Sequence, residues 1–238
     1  MQEYLSAEVI IMHARSFFSK INQGKTKSLQ TTVEWYTELT PLLEQQIIQT
    51  HVASFLDLYR NYSEAQLGLN PGKTKEIWLT EMIQAELNDI KAGNILLATV
   101  SIENNVAGFI TCLPLAHRHN KVSSNQIVNL WQQNQPTDPT QWRESIRKDV
   151  YISLLAVKPF RNPHTGEKIQ IGLGRQLIES VEAKITDANA LTLDTRLINT
   201  PGIAFYEKLG FSTSGQRTFG GSNPTHYTGC EKRLMKLI

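Results

Sequence analysis

Two glycines separated by one residue lie where a strand-like run gives way, after a loop, to a helix-like run. The apolar run from Tyr151 to Val157 is followed by a long polar loop and then by Gly172-Leu173-Gly174, which opens a helical pattern. Glycine lets a backbone approach a ligand closely, and the first turn of a helix offers unpaired N–H groups at its positive end. The arrangement suits a phosphate or pyrophosphate. A flexible turn before a helix gives the same pattern, so the glycine pair alone leaves both interpretations open.

Two common phosphate-binding loops do not fit this segment. A dinucleotide-binding fingerprint needs a third glycine where Leu177 stands, and it needs a tight turn directly after the strand. A Walker loop ends in Gly-Lys-Ser/Thr, which this segment lacks. The site, if it binds phosphate, is therefore of another type.

Three stretches resemble the GNAT superfamily of CoA-dependent N-acyltransferases. Residues 152–159 are similar to its fourth strand, and residues 169–174 are similar to its Q/R-x-x-G-x-G/A loop, with Gln170 one position late. Residues 199–211 are similar to its N-x-x-A-x-x-x-Y-E-K-L-G-F signature, with Gly202 in place of the alanine. The loop carries an apparent insertion at 162–166. The resemblance covers residues 94–238 closely and the preceding elements loosely.

The resemblance implies that acetyl-CoA is the co-substrate and that no metal takes part. In this family the fourth and fifth strands splay apart, so that backbone groups are left to bind the pantetheine arm. The N–H near Val157 is then the natural donor to an oxyanion. The residues that the resemblance assigns to cofactor binding are Leu155, Ala156, Val157, Gln170, Ile171, Gly172, Leu173, Gly174, Arg175, Asn199 and Lys208.

The resemblance also assigns the catalytic groups. Tyr206 is implied as the general acid that protonates the leaving thiolate, a task that a phenol can perform at neutral pH. Packing of its ring inside a helix is the competing interpretation. Ser153 stands where many relatives carry a glutamate, so the general base is left open. A water chain past Ser153 and the side chains of Glu103, His117 and Asp149 are the alternatives.

The resemblance, together with the order of helical and strand patterns, implies an α/β (α+β) fold of the GNAT acyl-CoA N-acyltransferase type, with a mixed, curved sheet of about seven strands and helices on both faces. Residues 1–26 are expected to form an N-terminal helical extension, and 27–238 the acetyltransferase domain, with a polar excursion at 116–148. Thr40-Pro41 and Thr74 are expected to start two helices. The predicted helices are 4–21, 41–59, 74–92, 172–188 and 201–209, and the predicted strands are 31–36, 94–102, 106–115, 150–157, 191–198, 211–216 and 226–237.

Bulk composition excludes several classes of protein. The 238 residues carry 24 basic and 22 acidic side chains and no dense basic run, so we expect no nucleic-acid partner. Only two cysteines are present, and His117 and His119 lack further ligands of fitting spacing, which argues against disulfide or zinc scaffolds. No apolar run is long enough for a signal or a membrane span, so a cytoplasmic monomer or homodimer without membrane contact is expected.

Taken with the resemblance, these patterns predict transfer of an acetyl group to a primary amine of a small molecule or peptide, by direct attack in a ternary complex. The alternative is a non-catalytic CoA or acyl-CoA sensor or interaction module on the same fold, which the missing carboxylate at Ser153 keeps open. The acceptor is expected between the loop at 59–74, the splayed strands and the segment at 218–227. Its candidate lining residues are Trp35, Tyr36, Tyr62, Trp78 and His226.

Overall fold

The structure is a computed structural model that describes residues 31–114, 149–161, 165–169, 171–185, 188–219 and 225–234. The predicted N-terminal helix and the excursion at 116–148 lie outside the described residues, as do Gln170, His117 and His119. The strands are β1 (Thr31–Tyr36), β2 (Leu96–Ile102), β3 (Asn105–Pro114), β4 (Val150–Val157), β5 (Phe160–Arg161), β6 (Lys168–Ile169), β7 (Ala190–Arg196), β8 (Ser212–Phe219) and β9 (Thr225–Arg233). The helices are α1 (Pro41–Tyr59), α2 (Lys75–Lys91), α3 (Leu173–Lys184) and α4 (Thr200–Lys208).

Seven of the strands form one mixed sheet in the order β1-β2-β3-β4-β7-β9-β8. Among the described strands of this sheet, β4 and β7 form the parallel pair, and the other neighbours run antiparallel. The predicted fold class is confirmed. The sequence analysis assigned β5 and β6 to a loop, whereas they form a separate two-stranded hairpin between β4 and α3.

The starts of α1 and α2 follow the predicted capping signals. The Thr40 hydroxyl accepts a hydrogen bond from Leu43 N at 3.2 Å, and Pro41 occupies the first helical turn, where its missing N–H costs nothing. The Thr74 hydroxyl accepts from Ile77 N at 3.3 Å. Both helices therefore begin where the local sequence satisfies otherwise unpaired N–H groups.

The sheet is covered on both faces, as predicted. Leu173, Leu177 and Val181 of α3 and Tyr206 of α4 pack on one face, which we call the α3/α4 face. Helices α1 and α2 pack on the other, the α1/α2 face, with a core of Leu43, Ile47, Ile83, Leu87, Leu97, Phe109 and Tyr151 among others. Alternation along β3 explains the division, because Ile110 and Cys112 lie in the first core whereas Phe109 and Leu113 lie in the second. A side chain on β4 or β7 thus points to one pair of helices or the other.

Candidate active site

The parallel strands β4 and β7 separate after a short paired stretch. Residues Val150–Ile152 pair with Leu191–Leu193, and the rest of β4, from Ser153 to Val157, has no partner on β7. Backbone polar groups away from water need a partner of some kind, so this opening can accept an extended, amide-bearing ligand. The predicted splaying of the two strands is present.

The direction of the peptide groups on β4 shows which residues face this opening. Lys158 N donates to Ala107 O of β3 at 2.8 Å. Because the direction alternates along an antiparallel pair, the N–H groups of Leu155 and Val157 point away from β3. Val157 N accordingly donates to Ser54 Oγ of α1 at 3.3 Å. The peptide group of Ala156 does not face the opening in this way, because its carbonyl lies beside Gly108 of β3. Its side chain lies in the α1/α2 core.

Ser153 is the extra residue of a β-bulge. Thr111 pairs with Leu154 and Cys112 pairs with Ile152, so Ser153 has no partner on β3. The Thr111 hydroxyl accepts from Leu154 N at 3.1 Å, which satisfies an N–H at the irregular pair. A bulge bends its strand and redirects side chains, and here it lies where β4 leaves β7.

A carboxylate from α2 meets Ser153 at the bulge. Ser153 Oγ donates to Glu86 Oε2 at 3.1 Å, and Thr111 Oγ1 donates to Glu86 Oε1 at 2.5 Å. Glu86 is half-buried on the α1/α2 side of the sheet. Glu103, His117 and Asp149 were the side chains predicted as possible bases. Glu86 was not predicted, because nothing in its helical pattern marks its contact with β4.

Tyr206 lies on the opposite face, beside the fork of the strands. Its ring packs edge-on against Phe205 and Phe211, at centroid distances of 5.2 and 5.5 Å. It shares the α3/α4 core with Cys230, which pairs with Leu193, the last residue of β7 that pairs with β4. Burial, with a smaller contribution from Cys230, raises the pKa of the Tyr206 phenol, so the group stays protonated at neutral pH. Its ring therefore packs in this core, and its role as a general acid stays a prediction.

The start of α3 has the geometry of an anion site. Gly172 is its N-cap with a φ of 76°, a left-handed conformation that favours glycine, and glycine has no side chain with which to cap the first turn. The first turn also lacks acidic residues. Leu173 is buried and Ile171 packs against the same core, so both anchor the loop, while Gln170 lies outside the described residues. The backbone N–H groups of this turn are thereby available to a phosphate.

Gly174 and Arg175 have other described contacts. A Cβ atom on Gly174 would lie 3.0 Å from Cζ of Phe205, so this glycine permits α3 and α4 to pack closely. The Arg175 side chain is 59% exposed and forms an ion pair with Glu179 at 3.9 Å. Close helix packing therefore explains Gly174 without a ligand.

Asn199 caps α4. Its Oδ1 accepts from Gly202 N at 3.0 Å, and its Nδ2 donates to Thr195 Oγ1 at 2.9 Å. A Cβ on residue 202 would lie 2.7 Å from Asn199 Cγ, so an alanine here would require the Asn199 side chain to shift. Lys208 lies exposed near the end of the same helix. Contact of Asn199 and Lys208 with a cofactor stays a prediction.

The β5–β6 hairpin is fastened to α1 by Asp57. Arg161 Nη2 and Lys168 Nζ, the latter at 3.3 Å, both reach the Asp57 carboxylate. Burial alone would raise the pKa of Asp57, but the hydrogen bonds from these two cations hold it below its usual value. The described hairpin between β4 and α3 is thus tied to α1.

Aromatic side chains gather around Arg196 on the α1/α2 face. The Arg196 guanidinium carbon lies 4.8 Å from the ring centroid of Trp78, 5.6 Å from that of Tyr59 and 6.0 Å from that of Tyr227. Tyr62 Oη donates to Ile198 O at 3.2 Å. The structure thus brings Tyr62 and Trp78 together beside β7, near the predicted acceptor position.

The other three candidate lining residues, Trp35, Tyr36 and His226, lie outside the aromatic group around Arg196. Trp35 packs against the α3/α4 core, and Tyr36 Oη donates to Glu34 Oε2 at 2.5 Å on the edge strand β1. His226 is exposed on β9.

Among the described residues, no group of three or more His, Cys, Asp or Glu side chains could hold a metal ion. No helix within the described ranges has the length and apolarity needed to cross a membrane.

The chain is similar to known proteins in one sequence segment and in fold. Residues 170–211 match the sequence model of the Acetyltransferase (GNAT) family. A GCN5-related N-acetyltransferase of known structure from Rhodopseudomonas palustris is 16% identical, with a TM-score of 0.51, over 86% of this chain and 96% of that one. The PaiA N-acetyltransferase of Thermoplasma acidophilum, solved in complex with coenzyme A, is 17% identical, with a TM-score of 0.45, over 85% and 99% of the two chains. No curated protein sequence matches the chain.

These findings identify the fold and one segment with a family match. The chain has the GNAT acyltransferase fold, and its segment from 170 to 211 carries the GNAT family sequence, so the resemblance found in the sequence is confirmed.

Proposed function

We propose that the protein is an N-acetyltransferase that moves the acetyl group of acetyl-CoA to a primary amine of a small molecule or peptide, by direct attack in a ternary complex. The observation that carries this proposal is the fork between β4 and β7. Its unpaired stretch has a buried phenol, Tyr206, on one face and a carboxylate–hydroxyl pair, Glu86 and Ser153, on the other. A thioester held in the fork would have a proton donor and a proton acceptor on opposite sides.

The described residues fit coenzyme A as the co-substrate. The peptide groups of Leu155 and Val157 face the opening and suit the amides of a pantetheine arm. The turn from Gly172 to Arg175 has no side-chain cap from its N-cap glycine, so its N–H groups suit the pyrophosphate. Ser54 Oγ holds the Val157 N–H at 3.3 Å, a long bond that a ligand carbonyl can replace.

Proton transfer follows from the positions of the polar groups. As the amine nitrogen bonds to the thioester carbon, Ser153 passes the amine proton to Glu86, or Glu86 takes it directly. The Val157 N–H donates to the oxygen that becomes negative. Tyr206 gives its proton to the sulfur as the carbon–sulfur bond breaks, which yields the N-acetyl product and free CoA thiol. The apolar surroundings that raise the pKa of Tyr206 also make the departing thiolate more basic.

The contact between Glu86 and Ser153 weakens the case for a non-catalytic module. That alternative rested on the absence of a carboxylate from β4, and α2 supplies one 3.1 Å from the serine hydroxyl. A family glutamate on β4 and Glu86 on α2 are different routes to the same chemical group. We therefore favour the enzyme.

Release of free thiol from acetyl-CoA across a panel of amines tests the proposal. We expect amine-dependent release by the intact chain, with formation of one acetylated amine for each thiol. Hydrolysis without amine serves as the background, and isothermal titration with acetyl-CoA measures binding separately. Binding of acetyl-CoA without turnover on any amine would support the sensor instead, and no binding at all would contradict both.

A further inference from the structure

Arg196 lies in the part of β7 that has left β4. The paired stretch of β7 ends at Leu193, and Arg196 is the last residue of the strand. Leu191 and Leu193 face the α3/α4 core, whereas Arg196 contacts rings at the end of α1 and the start of α2. Its side chain therefore lies on the α1/α2 face, the face from which Glu86 reaches Ser153.

The aromatic rings hold the guanidinium without neutralising it. Trp78, Tyr59 and Tyr227 surround its plane at 4.8 to 6.0 Å. Its only hydrogen bond to a described residue is from Nη1 to Leu67 O at 3.3 Å, and no described carboxylate forms an ion pair with it. A guanidinium has five N–H donors in a rigid fork, so most of them lie unused by the described residues.

The chemistry of this arrangement favours a carboxylate ligand. Cation–π contacts fix the orientation of the planar group in advance, so little side-chain freedom is lost when two parallel hydrogen bonds form. Apolar rings also lower the local dielectric and strengthen attraction to an anion. One positive charge without a second cation among the surrounding rings matches a monoanion better than a phosphate dianion.

We propose that Arg196, held by Tyr59, Trp78 and Tyr227, binds a carboxylate of the acceptor, so that the preferred substrate is an amine that also carries a carboxylate. This inference rests on the proposed function, because it assumes that the acceptor lies on the α1/α2 face of the fork. A free amino acid and the C-terminus of a short peptide share this chemistry.

Equilibrium binding tests the inference without requiring turnover. The full chain is saturated with CoA, and isothermal titration compares L-amino acids with the corresponding amino-acid amides, and dipeptides with dipeptide amides. We expect at least one acid to bind about tenfold to a hundredfold more tightly than its amide, consistent with a charged bidentate hydrogen bond. The amino-acid and dipeptide arms distinguish the two sources of the carboxylate.

Three variants test whether the preference for the acid over its amide depends on Arg196. Arg196→Gln should remove the preference for the acid, and Arg196→Lys should keep only part of it, because lysine lacks the planar fork. Arg60→Gln is the matched control, since it removes a 60%-exposed guanidinium from the end of α1 and should leave the preference unchanged. Circular dichroism checks that each variant is folded, and the wild-type comparison of acid with amide stands even if one is not.

Steady-state kinetics separate this inference from the proposed function. We expect Arg196→Gln to raise KM for the carboxylate-bearing amine about tenfold or more while kcat changes little. Turnover of amines with no preference for the acid, or an unchanged preference in Arg196→Gln, would overturn the inference and leave the acetyltransferase intact. Tight binding of the acid without acetyl transfer would contradict the proposed acetyltransferase function. It would still support the carboxylate site at Arg196.

Discussion

Ser153 Oγ donates to Glu86 Oε2 at 3.1 Å across a sequence separation of 67 residues. Because Ser153 is the bulged residue of β4, this contact places a carboxylate at the position where the strand leaves β7. The second oxygen of Glu86 accepts from Thr111, so the carboxylate is held by two hydroxyl groups that can each donate to it. The proposed base is thus supplied by a helix and positioned by a strand irregularity.

Replacement of Glu86 tests this assignment. Glu86→Gln keeps the size of the side chain but removes its basicity, so we expect kcat to fall about 10²- to 10⁴-fold near neutral pH. The deficit should shrink as the pH rises, because more of the amine then arrives unprotonated. Glu76→Gln, at an exposed position in the first turn of the same helix, is the control. A deficit that stays constant with pH would point to a positioning role for Glu86.

Removal of the phenolic proton tests the other side of the fork. We expect Tyr206→Phe to lower kcat by about 10²-fold or more and to leave the affinity for acetyl-CoA nearly unchanged, because its ring packing is retained. Titration with acetyl-CoA and single-turnover rates measure the two effects. Tyr36→Phe removes a hydroxyl on edge strand β1 and is expected to be neutral. Unaltered turnover in Tyr206→Phe would show that the thiolate leaves without this acid.

The left-handed glycine at the start of α3 gives a prediction about cofactor affinity. Gly172 and Gly93 have φ values of 76° and 73°, and a Cβ on either would meet nothing within 4 Å. Alanine at either position should therefore cost about 1–2 kcal/mol of stability through backbone strain alone. Only Gly172→Ala should also weaken CoA binding, because it disturbs the turn that presents N–H groups. Equal CoA affinities of the two variants would show that this turn does not bind a phosphate of CoA.

Buried His51 makes stability depend on pH. It is fully buried in α1 against Phe55 and Phe109, and neither ring nitrogen has a hydrogen-bond partner among the described residues. Burial lowers its pKa from 6.5 to about 4, so the unfolded chain binds the proton more readily. The stability contributed by neutral His51 is complete above pH 6.5 and is lost as the pH falls towards 4, by roughly 3 kcal/mol.

Urea unfolding of His51→Leu checks this expectation. The variant should lose less stability than the wild type between neutral pH and pH 4, and at neutral pH it should be at least as stable, because two unpaired polar atoms are removed from the core. Identical pH profiles for the two proteins would place the acid-sensitive group elsewhere.

Local signals in the sequence predicted most of the described fold. The strand from Val150 to Val157 has the bounds that its apolar run indicated, and the Thr40 and Thr74 caps lie where their neighbours required them. The short strands β5 and β6 were missed, because two residues each are too few to show an alternating pattern. Their position depends on Asp57, which is 104 residues from Arg161 in sequence.

The candidate site was predicted less completely. The splayed strands and the helix that opens at the glycine pair agree with the sequence analysis. The left-handed conformation of Gly172 and the burial of Tyr206 come from the structure alone. Glu86 could not be found in this way, since a half-buried glutamate on a helix carries no sign of the strand that it will meet. The side chain of Asn199 caps α4, a role that the sequence analysis did not assign, and its contact with the cofactor stays a prediction.

A crystal structure with acetyl-CoA tests the central claim most directly. The account predicts the pantetheine arm between β4 and β7, hydrogen-bonded to the peptide groups of Leu155 and Val157, with the thioester between Tyr206 and the Glu86–Ser153 pair and the pyrophosphate at Gly172. Electron density for the cofactor at another position, with β4 and β7 paired along their length, would contradict it.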